Sequence, residues 1–178
     1  MSKFQIVLSG VGGQGLVSCG KILGDAATSF AGKNAAMTSS YGSEARGTFT
    51  KSDLIISDKP VDFPQVEEAD VVLSLAQVAY DRYVKTMREG SFLVYDSDEV
   101  TPSDDCAAKQ YGFQFTKIAR ALGYAGAANL VAAGVIVKLT EVLEMSAIEQ
   151  AIQNKYAAKP KVAEMNLQAF RSGVDLIK

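Results

Sequence analysis

The chain has no histidine and no tryptophan, and only two cysteines and four prolines among 178 residues. Without imidazole there can be no Ser/His/Asp triad, no Cys/His nucleophile pair, no His-ligated zinc and no facial triad of two histidines and a carboxylate. Cys19 and Cys106 are far apart in the chain, so they supply neither the four thiolates of an iron–sulfur cluster nor a CxxC redox pair. Any metal or electron-transfer centre this protein works with is expected on another chain. Charge of one sign is also missing: 18 Lys plus Arg nearly cancel 20 Asp plus Glu, which leaves no field to hold a polyphosphate backbone and argues against nucleic acid as a partner. No apolar run is long enough to span a membrane, because the uncharged stretch from Ala121 to Val137 carries three glycines and an asparagine and falls short of roughly 20 apolar residues. Met1-Ser2-Lys3 leads straight into a short apolar segment ended by Gly10, with no signal-peptide pattern, so a cytoplasmic location is expected.

What is present is ordinary globular composition, 48% hydrophobic and 21% charged, and residues 1–178 read as one domain. Phe4 to Ser9 reads as a strand, followed by a glycine loop and an amphipathic helix in which Leu16, Cys19, Leu23, Ala26, Ala27 and Phe30 recur at helical spacing. Ala35 to Ser39 and Phe49 to Ser57 suggest the next strands. Val71 to Leu75 and Phe92 to Tyr95 are short apolar runs typical of strands covered on both faces, with a helix from Val78 to Met87 between them, closed by Gly90. The C-terminal third reads as helical: Leu130 to Leu143, then Ser146 to Tyr156 with a Ser146/Glu149 capping box, then Pro160 to Ile177. The segment from Asp96 to Asp105, rich in acids and containing Pro102, is expected to be a mobile loop. The fold class is α/β, a Rossmann-like doubly wound and mostly parallel sheet with a helical C-terminal third, in which ligands gather beyond the carboxyl ends of the strands.

Gly10-Val11-Gly12-Gly13-Gln14-Gly15 satisfies GxGxxG between a strand and a helix. Glycines permit a tight turn and close backbone approach, and the first helical turn points free N–H groups at negative charge. The acid that binds a dinucleotide ribose is missing, since Asn34 to Tyr41 has none, and the GK[ST] ending of a Walker A loop is also absent. The loop by itself is compatible with a phosphate-bearing group shared with a partner chain, with a ligand-free turn, or with a dinucleotide. Thr38 to Thr48 forms a second loop that concentrates hydroxyls, Glu44, Arg46, Gly42 and Gly47. It reads either as a site or as a polar surface loop with an internal Glu44/Arg46 pair.

Taken together, GVGGQG, SSYGSEARG, Ile55-Ile56-Ser57-Asp58 and Leu75-Ala76-Gln77-Val78-Ala79-Tyr80 resemble the γ subunit of 2-oxoacid:ferredoxin oxidoreductases over essentially the whole chain. The YGxEARG form, here Tyr41, Gly42, Glu44, Ala45, Arg46 and Gly47, resembles the 2-oxoglutarate branch rather than the indolepyruvate branch. Ala128-Asn129-Leu130, Gly134, Lys159-Pro160, Glu164 and Asn166 look like less specific family positions. The resemblance implies an assembly in which thiamine diphosphate, Mg2+ and iron–sulfur clusters lie on α and β subunits, with or without a δ. Ferredoxin accepts the electrons and coenzyme A the acyl group. It implies a γ chain that binds no cofactor alone, has no catalytic residue of its own, and helps shape the active-site and coenzyme A region. On that basis Gly10, Gly12, Gly13, Gln14 and Gly15 are candidate coenzyme A or phosphate contacts, and Ser40, Tyr41, Gly42, Glu44, Arg46, Gly47 and Gln77 are candidate active-site or interface residues.

Several residues keep two readings. Cys19 lies on an apolar helix stripe, as a buried small hydrophobe or as a thiol site. Gln77 and Tyr80 follow a strand's carboxyl end, where sites gather, or they serve capping and packing. Leu130 to Val137 is apolar all round and needs cover, either from a partner or from the two helices that follow it. A stand-alone nucleotide-binding or regulatory module is the rival from another class, and a pyruvate or branched-chain enzyme the rival within it.

Overall fold

The computed structural model describes residues 3–41 and 48–178. The chain runs β1 (Phe4–Val11), α1 (Leu16–Asp25), a π-helical turn at Ala26–Phe30, β2 (Asn34–Tyr41), β3 (Phe49–Ser57), β4 (Val71–Ser74), α2 (Gln77–Tyr83), β5 (Phe92–Asp96) and β6 (Lys109–Phe113). Four helices follow: α3 (Phe115–Ala121), α4 (Ala128–Thr140), α5 (Met145–Lys155) and α6 (Pro160–Val174). The strands form one mixed sheet in the order β2-β3-β1-β4-β5-β6. β1, β4, β5 and β6 are parallel neighbours, whereas β3 lies antiparallel between β1 and β2. The expected α/β, mostly parallel architecture is therefore present. β1, α1 and β2 form the crossover read from the sequence, but β3 is inserted between the two strands it joins.

Two apolar layers hold the sheet. On one face Ile6, Leu8, Leu54, Ile56 and Leu73 pack against α1 and α3 to α6, and on the other Val7, Val72 and Leu93 pack beneath Tyr80, Val84 and Met87 of α2 and the turns after it. Residues Leu130 to Val137 are buried without exception, and the cover comes from this chain, from α6, α3 and α1. Of the two following helices that the sequence reading offered as cover, α6 returns alongside α4 and provides it, whereas α5 packs on α1 and α3 takes its place.

Three local expectations need correction. α5 starts at Met145 with Glu144 at its N-cap and no side-chain capping bond, so the Ser146/Glu149 box does not form; Glu149 Oε1 instead accepts from Arg171 Nε at 2.7 Å. The helix expected from Val78 to Met87 is α2, Gln77–Tyr83, followed by turns. The acidic stretch from Asp96 to Asp105 is tied down rather than loose: Val100 is buried, Thr101 N–H donates to Gln77 Oε1 at 2.7 Å, and Ser103 N–H donates to the Tyr80 hydroxyl at 2.8 Å. Its first residue, the buried Asp96, accepts from Thr116 N–H at 2.9 Å and Thr116 Oγ1 at 2.7 Å, so it satisfies one of the orphan N–H donors at the start of α3.

Candidate functional site

β1 and β4 are parallel neighbours, yet α1 leaves β1 toward one face of the sheet and α2 leaves β4 toward the other. Their carboxyl ends thus flank a topological switch point, where doubly wound folds open a ligand crevice. The glycine loop sits on this crevice. The left-handed positions are Gly13 (φ 94°) and Gly15 (φ 73°), the latter being the N-cap of α1. At Gly10 a Cβ would come within 2.1 Å of Gln14 Oε1, so the missing side chain makes room for the Gln14 carboxamide. That amide spans the crevice: Val11 N–H donates to its Oε1 at 2.8 Å, and its Nε2 donates to the Leu75 carbonyl beyond β4 at 2.9 Å.

Asn129, near the start of α4, fixes the loop from below, its Nδ2 donating to the Gln14 and Gly15 carbonyls at 2.9 and 3.1 Å. A cavity of about 150 Å³ lies alongside, lined by Gly13, Gly15, Ser18, Tyr124, Asn129 and Asn166. Among the described residues no side chain caps α1, and its first turn holds no acid, so the positive end of the helix dipole has no counter-charge from its own turn. Neither the glycine loop nor Asn129 offers a group that titrates near neutrality.

Thr48 lies beside the first loop, its carbonyl accepting from Gly12 N–H at 3.2 Å, and Val11 is paired with Phe49. Ser40 and Tyr41 end β2, both exposed. Gly42, Glu44, Arg46 and Gly47 lie outside the described residues. Gln77 stands at the start of α2 after β4, and its amide is engaged with Thr101 and with Asp81, to whose Oδ1 it donates at 2.8 Å. Tyr80 is buried beneath the same segment, its hydroxyl donating to Gln110 Oε1 at 2.6 Å, and burial pushes its ionisation up. The structure therefore brings the glycine loop, Thr48 and the ends of β1 and β4 together, and it uses Gln77 and Tyr80 to anchor the chain after β5. Asn129 was visible in the sequence only as a family position, with nothing local to show what it holds.

The donor set does not fit a redox centre. Cys19 is fully buried in α1, its Sγ donating to the Asn129 carbonyl at 3.6 Å, and burial pushes its thiol up to about 12. Among the described residues no group of three His, Cys, Asp or Glu is placed to hold a metal ion, and no helix is long and apolar enough to cross a membrane. A thiol reagent at neutral pH is expected to modify the partly exposed Cys106 and to leave Cys19 untouched until denaturant is added. Peptide mass mapping checks this, and rapid labelling of Cys19 in the native protein would contradict its burial.

The fold is a Rossmann-like α/β domain with a mixed, mostly parallel sheet and a glycine loop at its switch point. The family model for pyruvate ferredoxin/flavodoxin oxidoreductase matches residues 5–176, and the chain belongs to that family. It is 39% identical to the 2-oxoglutarate synthase subunit KorC of Methanocaldococcus jannaschii, over 98% of this chain and 94% of that protein. Among solved structures, the gamma subunit of a keto/oxoacid ferredoxin oxidoreductase from Geobacter sulfurreducens superposes with a TM-score of 0.84 at 36% identity, covering 97% of this chain and 96% of that one. The 2-oxoglutarate:ferredoxin oxidoreductase of Magnetococcus marinus, solved with 2-oxoglutarate, coenzyme A and succinyl-CoA, shares the fold with a TM-score of 0.89 at 21% identity; the match covers 99% of this chain and 31% of that longer one.

Proposed function

We propose that this chain is the γ subunit of a 2-oxoglutarate:ferredoxin oxidoreductase, which converts 2-oxoglutarate and coenzyme A to succinyl-CoA and CO2 with reduction of ferredoxin. The observation that carries the reading is full-length similarity to a 2-oxoglutarate synthase subunit in a chain that keeps the YGxEARG loop at Tyr41 to Gly47. Thiamine diphosphate, Mg2+ and iron–sulfur clusters then belong to α and β partners, with or without a δ, in a cytoplasmic complex. When bound there, those groups supply the decarboxylation and the electron path. This chain's part is binding and shaping: the glycine loop, with the uncapped start of α1, receives a phosphate of coenzyme A, and the loop from Ser40 to Gly47 faces the reacting region.

The test is co-expression with candidate partner subunits followed by assay of each 2-oxoacid. The expected outcome is a coloured complex that reduces ferredoxin with 2-oxoglutarate, while the γ chain alone is colourless and inactive. A complex that prefers pyruvate or a branched-chain oxoacid would overturn the substrate assignment. A chain that purifies alone and binds an adenine nucleotide tightly would overturn the subunit reading. Within the complex, Arg46→Ala and Arg46→Lys are each expected to lower kcat/KM for oxoacid or coenzyme A at least about tenfold, because Lys keeps the charge but loses the planar fork. An exposed Glu44/Arg46 pair would cost at most about 1 kcal/mol of stability and leave the kinetics alone, which steady-state assay of the two variants distinguishes.

A further inference from the structure

Asp53 sits in the middle of β3, opposite Val7 of β1 and Thr38 of β2, and is only 2% exposed. Lys51 Nζ donates to its Oδ2 at 2.7 Å, but among the described residues its buried Oδ1 has no hydrogen-bond partner. A buried carboxylate oxygen without a donor is costly, and native structures seldom leave one so. The carboxylate lines a cleft of about 430 Å³, together with Thr38, Ser40, Lys51, Phe63 and Pro64. The segment around Phe63 and Pro64 forms its roof, with Thr38 Oγ1 donating to the Pro64 carbonyl at 3.5 Å, and the Phe63 ring is 57% exposed.

We propose that this cleft receives an arginine side chain from a partner subunit, whose guanidinium donates to Asp53 Oδ1. The proposal rests on the subunit reading above. The chemistry of the cleft selects the occupant. Oδ1 needs an N–H donor, the Thr38 and Ser40 hydroxyls can accept further donors of the same planar fork, and the faces of Phe63 and Pro64 suit the flat, weakly hydrated guanidinium. A water could satisfy Oδ1 but would leave the Phe63 ring uncovered. A buried charge contact with an aromatic wall is the usual anatomy of an interface anchor.

The experiment uses the full chain and its co-expressed partner subunits, comparing wild type with Asp53→Asn and Ser40→Trp. Asn keeps the shape and can still accept from Lys51, but it turns an amide N–H2 toward the cleft. Trp at the exposed edge-strand position 40 fills the cleft. Both isolated variants are expected to melt within a few degrees of wild type, and both are expected to bind the partner subunits at least tenfold more weakly. Wild type that assembles while either folded variant binds within twofold of it would overturn the arginine contact and leave only solvent at Oδ1. If Asp53→Asn fails to fold, Ser40→Trp decides alone by the same criterion. Wild type that never assembles would overturn the subunit reading and this contact with it.

Discussion

Gly173→Ala is expected to destabilise the protein by about 4 kcal/mol or more, although alanine is the better helix former by about 1 kcal/mol. A Cβ at Gly173 of α6 would come within 1.8 Å of the Val131 carbonyl oxygen of α4, and a Cβ at Gly134 of α4 would come within 2.2 Å of the Phe170 carbonyl oxygen of α6. Both obstacles are backbone, so no rotamer change relieves them, and the two helices must move apart. Ordinary helix pairs keep their axes 8–10 Å apart, set by the side chains between them, whereas here two glycines let backbone meet backbone. Separation would loosen α4, whose residues Leu130 to Val137 form the centre of the larger core, and would open voids around Phe170. Gly24→Ala in α1 is the control, since a Cβ there would sit 3.7 Å from Leu54 Cδ1 in ordinary contact. It is expected to stabilise by about 0.5 to 1 kcal/mol through backbone propensity. Urea titration of the three proteins measures both signs, and a Gly173→Ala variant as stable as Gly24→Ala would refute the close crossing.

How much of this was legible in the sequence depended on whether a signal was local. β1, its glycine loop and α1 were readable because strand, GxGxxG and amphipathic stripe follow one another without a gap. β4 and β5 were readable as aliphatic runs, being covered on both faces. β6 escaped because Lys109 to Phe113 has no aliphatic residue and its polar side chains serve contacts such as Gln110 with Tyr80 and Ser103. The insertion of β3 between β1 and β2 was not readable at all, since strand order is a long-range choice. The acidic stretch after β5 was misread because composition reports solvation but not tethering: Gln77 and Tyr80, which hold Thr101 and Ser103, come from another element. The same limit applied to the candidate site. Its glycines were evident from spacing, whereas the side chain that locks them, Asn129, reaches Gln14 across 115 positions.

That lock makes the second large effect a coupled one. Gly15→Ala places a Cβ 2.2 Å from Asn129 Nδ2 and asks alanine to adopt φ 73°, a left-handed conformation that costs a non-glycine residue about 1 to 2 kcal/mol. Asn129 must swing away, giving up its bonds to the Gln14 and Gly15 carbonyls, at about 1 kcal/mol each. The single variant is therefore expected to lose about 3 to 4 kcal/mol. Asn129→Ala loses the same two bonds without the strain and is expected to cost about 2 kcal/mol. Because the clash and the bonds involve one side chain, the double variant should cost little more than Gly15→Ala alone, well short of the sum, giving a coupling of about 2 kcal/mol in a double-mutant cycle. If the loop receives coenzyme A as proposed, both single variants should raise KM for coenzyme A in the assembled enzyme more than they lower kcat. Additive stability losses would show that Asn129 does not brace Gly15. Unchanged KM for coenzyme A in folded variants would show that the crevice at the end of β1 is only a turn in the chain.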